Sequence, residues 1–194
     1  MKINHAEEEA RIIGRLARVS ILAMDVDGVL TDGTLAYGSD GVEQKRFHVA
    51  DGLGLVVMHL AQIKVVWISG RANPIVERRA SELKVFRVLQ GVRDKGAALL
   101  RLCEELGIPR EEVIFVGDDW NDLQAFEVAG TCIAVSNAAK EVLSLADAVT
   151  EKPGGSGAVR EVCDAILDAR GDRESCLRLY LDSLRQIQSA EPTQ

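Results

Sequence analysis

Short apolar runs, each closed by glycine or a polar turn, alternate along the chain with stretches whose apolar residues return every three or four positions. The first pattern predicts buried strands, the second amphipathic helices. Strands are expected at 21–24, 65–68, 85–89, 112–116 and 132–135, with a last short one at 148–149. Helices are expected at 51–61, 73–83, 94–106, from 122 to about 129, 138–145 and 158–169. Asn73-Pro74 suits an N-cap and first helical position, and Gly107 a helix end. This alternation predicts an α/β fold: a Rossmann-like parallel sheet flanked by helices, with right-handed crossovers.

One interruption breaks the alternation. Residues 34–37 and 42–49 read as two short strands around Gly38-Ser39-Asp40-Gly41, a strong turn signal. They predict a β-hairpin insert over about 33–49. Pro153-Gly154-Gly155-Ser156-Gly157 reads as a flexible break. The expected organisation is one domain over 20–171, a helical extension over 1–19 and a helical tail over 172–194. The extension carries Ile12, Ile13, Leu16 and Val19 at helical spacing. The tail carries Leu177, Leu181, Leu184 and Ile187 as a narrow stripe, and its last residues read as disordered.

Composition narrows the function classes. At 194 residues and 47% apolar, the chain can bury a full core. No apolar run reaches the roughly 20 residues of a membrane span, and the N-terminus lacks a signal-peptide core. A cytoplasmic location is expected. Cys103, Cys132, Cys163 and Cys176 are scattered without metal or redox spacing, so they read as buried reduced thiols. A net charge of −7 argues against nucleic-acid binding but leaves room for a small anionic substrate in one locally cationic pocket.

The chemistry is expected at the strand ends. The first strand runs into Asp25-Val26-Asp27-Gly28, and carboxylates at i and i+2 leave a strand on one face. Two such charges repel unless a cation lies between them, and Mg²⁺ suits an all-oxygen site. The second strand ends in Ser69-Gly70-Arg71, Lys95 opens a helix, and the fourth strand ends in Asp118-Asp119-Trp120-Asn121-Asp122. In a doubly wound sheet these ends converge on one crevice. Together they predict phosphoryl transfer: Asp25 as nucleophile, Asp27 as acid and base, Ser69 and Lys95 on the phosphate oxygens, and Asp118 with Asp25 on the metal. Asp119 is assigned mainly to capping the next helix.

These motifs, with Asp94-Lys95-Gly96 among them, resemble those of the haloacid dehalogenase superfamily of phosphatases. The likeness runs from about Ser20 to Gly171. The hairpin, Gln90-Gly91-Val92 and the Gly154–Glu161 region narrow it to a branch without a large cap domain, acting on keto-acid sugar phosphates of eight or nine carbons. The resemblance implies an aspartyl-phosphate intermediate. It gives metal binding to Asp25, Asp118 and the Asp27 carbonyl, with Asp122 behind them. It gives His48, Asp51, Gly52, Arg71, Arg79, Lys95 and Arg160 to the substrate, Arg160 reaching a neighbour's pocket on a mobile tail. It also implies a homotetramer in which a neighbouring subunit completes each site. Arg71 favours the eight-carbon acid over the nine-carbon one. A catalytically idle oligomerisation homologue is the competitor from another class.

Overall fold

The computed structural model describes residue 1 and residues 6–190. The chain begins with α1 (Ala6–Leu16), β1 (Ile21–Met24), the short β2 (Ala36–Tyr37) and β3 (Glu43–Gln44), and α2 (Val49–Leu60). It continues with β4 (Lys64–Ile68), α3 (Pro74–Glu82), β5 (Arg87–Leu89), α4 (Lys95–Leu106) and β6 (Val113–Gly117). After it come α5 (Leu123–Phe126), β7 (Thr131–Ala134), α6 (Lys140–Leu145), β8 (Ala148–Val149), α7 (Ala158–Arg170) and α8 (Arg173–Ala190).

Six strands form one sheet in the order β5-β4-β1-β6-β7-β8, every neighbouring pair parallel. Strands buried on both faces should be apolar throughout. Accordingly β1 is Ile-Leu-Ala-Met, all buried, and it takes the centre between β4 and β6. The connection order reverses across β1 and β6, which makes the crevice above their carboxyl ends the switch point of the sheet. Asn73 caps α3 by accepting from Ile75 N at 2.8 Å, Asp94 caps α4 by accepting from Ala97 N at 2.8 Å, and Gly107 ends α4 at φ 63°.

The hairpin is far shorter than its apolar pattern predicts. Only Ala36↔Gln44 and Tyr37↔Glu43 pair. Leu35, Tyr37, Val42 and Val49 are all exposed, so within one chain no buried face extends the ladder. The single helix expected up to 129 is instead a 3₁₀ turn, Trp120–Asp122, followed by the one-turn α5. Asp119 caps that turn by accepting from Trp120 N at 2.8 Å.

The glycine-rich segment before α7 is not a flexible break. Gly155 N donates to Val29 O at 2.9 Å, and Gly154 N donates to Asn137 Oδ1 at 2.8 Å. A Cβ on Gly154 would lie 1.6 Å from the carbonyl oxygen of Gly28, so only glycine lets the two loops touch. The helix that follows buries Val159, Val162, Cys163 and Ile166. The sequence pattern could not distinguish glycine used for freedom from glycine used for close approach.

Of the N-terminal stripe, Ile12, Leu16 and Val19 enter the core, whereas Ile13 faces outward. In α8, Cys176 is buried but Leu177, Leu181 and Leu184 are exposed; the side chain of Ile187 and the terminus read as disordered lie outside the described residues. All four cysteines are buried and free. No described helix is long and apolar enough to cross a membrane.

Candidate active site

Asp25 is the first residue past β1, its N–H still donating to Val116 O at 3.0 Å. The chain then turns tightly: Leu30 N and Thr31 N both donate to Val26 O. Gly28 makes that turn at φ 106°, and a Cβ there would fall 2.0 Å from Asp118 Oδ2. The missing side chain is what lets Asp118, arriving from the end of β6, approach the loop after β1.

Lys95 opens α4 and is fully buried. Its ammonium lies 2.7 Å from Asp25 Oδ1 and 2.6 Å from Asp122 Oδ1. Asp122 spends its other oxygen on the strand-end loop, accepting from Asp118 N at 2.9 Å and Asp119 N at 3.4 Å. Asp118 Oδ1, by contrast, is buried without a hydrogen-bond partner. Carboxylate oxygens of Asp25, Asp118 and Asp122 all lie within 4.8 Å of one another.

Three carboxylates, those of Asp25 and Asp122 buried and that of Asp118 half-buried, thus face one ammonium. At such separations each like-charge pair costs roughly 3 kcal/mol even at an effective dielectric of about 20, so a single lysine cannot balance the set. Burial, then the Asp122 charge, pushes the Asp25 carboxyl up to about 7, against the pull of Lys95. Burial, then Asp25 and Asp122, pushes Asp118 up to about 8. Burial works against the charge of Lys95, but Asp25 and Asp122 outweigh it and hold its pKa above the ordinary value. An all-oxygen cluster with surplus negative charge and an unpartnered inward oxygen fits a hard divalent cation such as Mg²⁺.

Ser69, at the end of β4, is buried, and its hydroxyl oxygen accepts from Arg71 N at 3.1 Å. The hydroxyl proton is left for another acceptor. Asp27 is bound on one oxygen by Lys45, while its Oδ2 is buried without a partner. Lys45 Nζ also lies 3.1 Å from Glu43 Oε1, and Glu43 Oε2 accepts from Arg71 Nη2 at 2.6 Å. Sequence reasoning missed both Glu43 and Lys45. Glu43 lies on β3 and Lys45 just beyond it, and nothing in the sequence pattern said that their side chains turn toward Asp27.

The other predicted substrate residues divide into groups. His48, Asp51, Gly52 and Arg79 gather around one narrow cleft with Phe47 and Trp67, whose rings stack with centroids 6.3 Å apart. Asp51 is itself buried and engaged: its oxygens accept from Gly157 N at 3.2 Å and Arg160 N at 2.7 Å, capping α7. Burial pushes its pKa up. The Arg160 side chain does not join this cleft. It pairs with Asp164 at 3.0 Å and lines a groove between α2, α7 and α8.

An acid-tipped central strand, a buried lysine and a second acidic strand end across the switch point define a phosphoryl-transfer hydrolase of the haloacid dehalogenase type. Residues 61–162 match the haloacid dehalogenase-like hydrolase family, and the chain belongs to it. It is 41% identical over 157 residues to the 3-deoxy-D-manno-octulosonate 8-phosphate phosphatase of Haemophilus influenzae, covering 81% of this chain and 87% of that one. The Escherichia coli K12 protein of the same name is 41% identical over 162 residues, 84% of this chain and 86% of its own. The crystal structure of the Moraxella catarrhalis enzyme of that name, in complex with magnesium ion, phosphate ion and KDO, superposes with a TM-score of 0.86 at 39% identity. That match covers 91% of this chain and 99% of the other.

Proposed function

We propose that this protein is a Mg²⁺-dependent phosphatase that hydrolyses 3-deoxy-D-manno-octulosonate 8-phosphate to the free sugar acid and phosphate, on the pathway to lipopolysaccharide. The meeting of Asp25, Lys95, Asp118 and Asp122 above the switch point carries this reading, and the likeness to enzymes of that name specifies the substrate.

In the first step a carboxylate oxygen of Asp25 bonds to phosphorus as the ester P–O bond breaks. Asp27 delivers a proton to the departing 8-oxygen through its free Oδ2. In the second step Asp27 takes a proton from water, the water oxygen attacks phosphorus, and inorganic phosphate leaves as Asp25 is restored. The Ser69 hydroxyl and the Lys95 ammonium hold phosphoryl oxygens. Asp25, Asp118 and the Asp27 carbonyl would hold Mg²⁺, which supplies positive charge beside the transferring group. Asp122 stands behind them, fixing Lys95 and the loop at 118–119. The planar guanidinium of Arg71 suits the substrate carboxylate. His48, Gly52 and Arg79 line the remaining wall, with Asp51 holding α7 against it. Arg160 belongs to a neighbouring subunit's site in this reading.

The protein is read as a homotetramer built through the hairpins. Leu35, Tyr37, Val42 and Val49 support this, since four large apolar side chains stand exposed on the hairpin and just after it. Light scattering should give about four times the 21.1 kDa chain mass; a stable monomer at micromolar concentration would exclude it. Four buried reduced cysteines support a cytoplasmic location.

Phosphate release from the eight-carbon acid 8-phosphate, a nine-carbon acid 9-phosphate and neutral sugar phosphates tests the function, with and without Mg²⁺. The eight-carbon acid should show the highest kcat/KM, and EDTA should abolish turnover of all. A preference for the nine-carbon acid would reassign the substrate.

A further inference from the structure

A continuous chain of ion pairs links the surface cation Arg71 to Asp27 Oδ1, the oxygen beside the buried Oδ2: Arg71 to Glu43, Glu43 to Lys45, and Lys45 to Asp27. Its members come from three places: the loop after β4, β3 with the residue just beyond it, and the loop after β1. Exposure falls from 41% for the Arg71 side chain through 15% for Glu43 to 1% for Lys45, and is 19% at Asp27. Lys45 is shared between two carboxylates, and Glu43 between two cations. Each interior member can strengthen one bond only by weakening the other.

We infer that Glu43 and Lys45 couple capture of the substrate carboxylate at Arg71 to release of the Asp27 side chain toward the leaving oxygen, to which its carboxylic-acid form delivers the proton. This rests on the phosphatase reading above and extends it to how the enzyme selects sugar acids. In the free protein, Arg71 holds Glu43 and Lys45 holds Asp27. An arriving carboxylate competes with Glu43 for the Arg71 guanidinium, which suits bidentate binding. Glu43, deprived of that partner, draws the Lys45 ammonium toward itself. Asp27 then turns freely onto the substrate. Lys45 acts through Asp27 and touches no reacting atom, so it is a positioning residue; Glu43 is the coupling residue.

The consequence is that the substrate carboxylate acts on kcat as well as on KM. Binding energy from a remote group is spent at the reacting centre, and a truncated substrate should lose turnover. A simple anion site at Arg71 would instead change KM alone.

The test uses the full-length protein with Mg²⁺. Steady-state kinetics are measured on the sugar-acid 8-phosphate and on its carboxamide, which keeps the shape and removes the charge. The wild type should lose at least tenfold in kcat on the carboxamide. In Glu43→Gln that kcat ratio should collapse to about twofold or less, while the KM difference set by Arg71 persists. Lys45→Gln should show the same collapse and serves as the second variant. Thermal unfolding confirms that both are folded. If both variants keep the wild-type kcat ratio, the coupling is wrong. If the wild type turns over neither compound, the phosphatase reading itself fails, a result distinct from the first.

Discussion

Replacing Asp25 with asparagine is expected to reduce Mg²⁺-dependent phosphate release by at least about 10⁴-fold while leaving the fold intact. Loss of a covalent nucleophile has cost on the order of 10⁶ in kcat in a well-studied hydrolase, and no neighbour here can replace it. Asp122 has its oxygens committed to Lys95 and the loop N–H groups. Asp118 comes from a different strand end, that of β6. The substitution is nearly isosteric and removes one of three crowded carboxylates. The metal-free variant should therefore unfold at the same temperature as the wild type or slightly above it. Single-turnover assays and thermal unfolding, run together, check both halves. An active variant would sink the nucleophile assignment, and an inactive wild type would favour the idle oligomerisation homologue.

The second large effect is on stability. Asp25 and Asp118 have folded-state pKa values raised from 3.8 to about 7 and about 8. A carboxyl whose pKa is raised by folding binds its proton more tightly in the native state. Its contribution is therefore greatest in acid and declines as pH rises through the window from about 4 to about 8. A three-unit shift corresponds to roughly 4 kcal/mol, and the two groups share one cluster, so their effects do not add. The metal-free protein should lose about 10 °C in Tm between pH 5 and pH 8.5. Excess Mg²⁺ should restore most of that loss at pH 8.5 and little at pH 5, where protons compete for the same oxygens. Thermal unfolding across pH, with EDTA or Mg²⁺, measures this directly. A Tm independent of Mg²⁺ at high pH would contradict the assignment of Asp25 and Asp118 as cation ligands.

Much of the fold was legible because strand burial and helix amphipathicity are written locally. β1, β4 and β6 appear as apolar runs, and Asn73, Asp94 and Gly107 mark helix ends by their own chemistry. The candidate acids Asp25 and Asp118 were legible for a related reason, since each stands where an apolar strand stops, and Lys95 because it opens a helix behind the Asp94 cap. What sequence could not supply was the direction of side chains on an insert without a periodic pattern. Glu43 and Lys45 lie on two residues of strand and one beyond, too little for alternation to indicate a face. Only the folded hairpin brings Lys45 onto Asp27. Asp51 lines the cleft with His48, Gly52 and Arg79, and its two oxygens also cap α7, a helix more than 100 positions away along the chain.

Sequence by itself therefore determined the order of elements, the parallel sheet and the candidate groups at the strand ends, because each depends on residue type and near-neighbour spacing. Tertiary structure alone decided which carboxylates share a cation, where glycine serves contact and not freedom, and how the hairpin joins Arg71 to Asp27. Those features are settled by distances of a few ångströms between segments remote in the chain. Such distances are set by the packing of the whole core, and no local pattern encodes them.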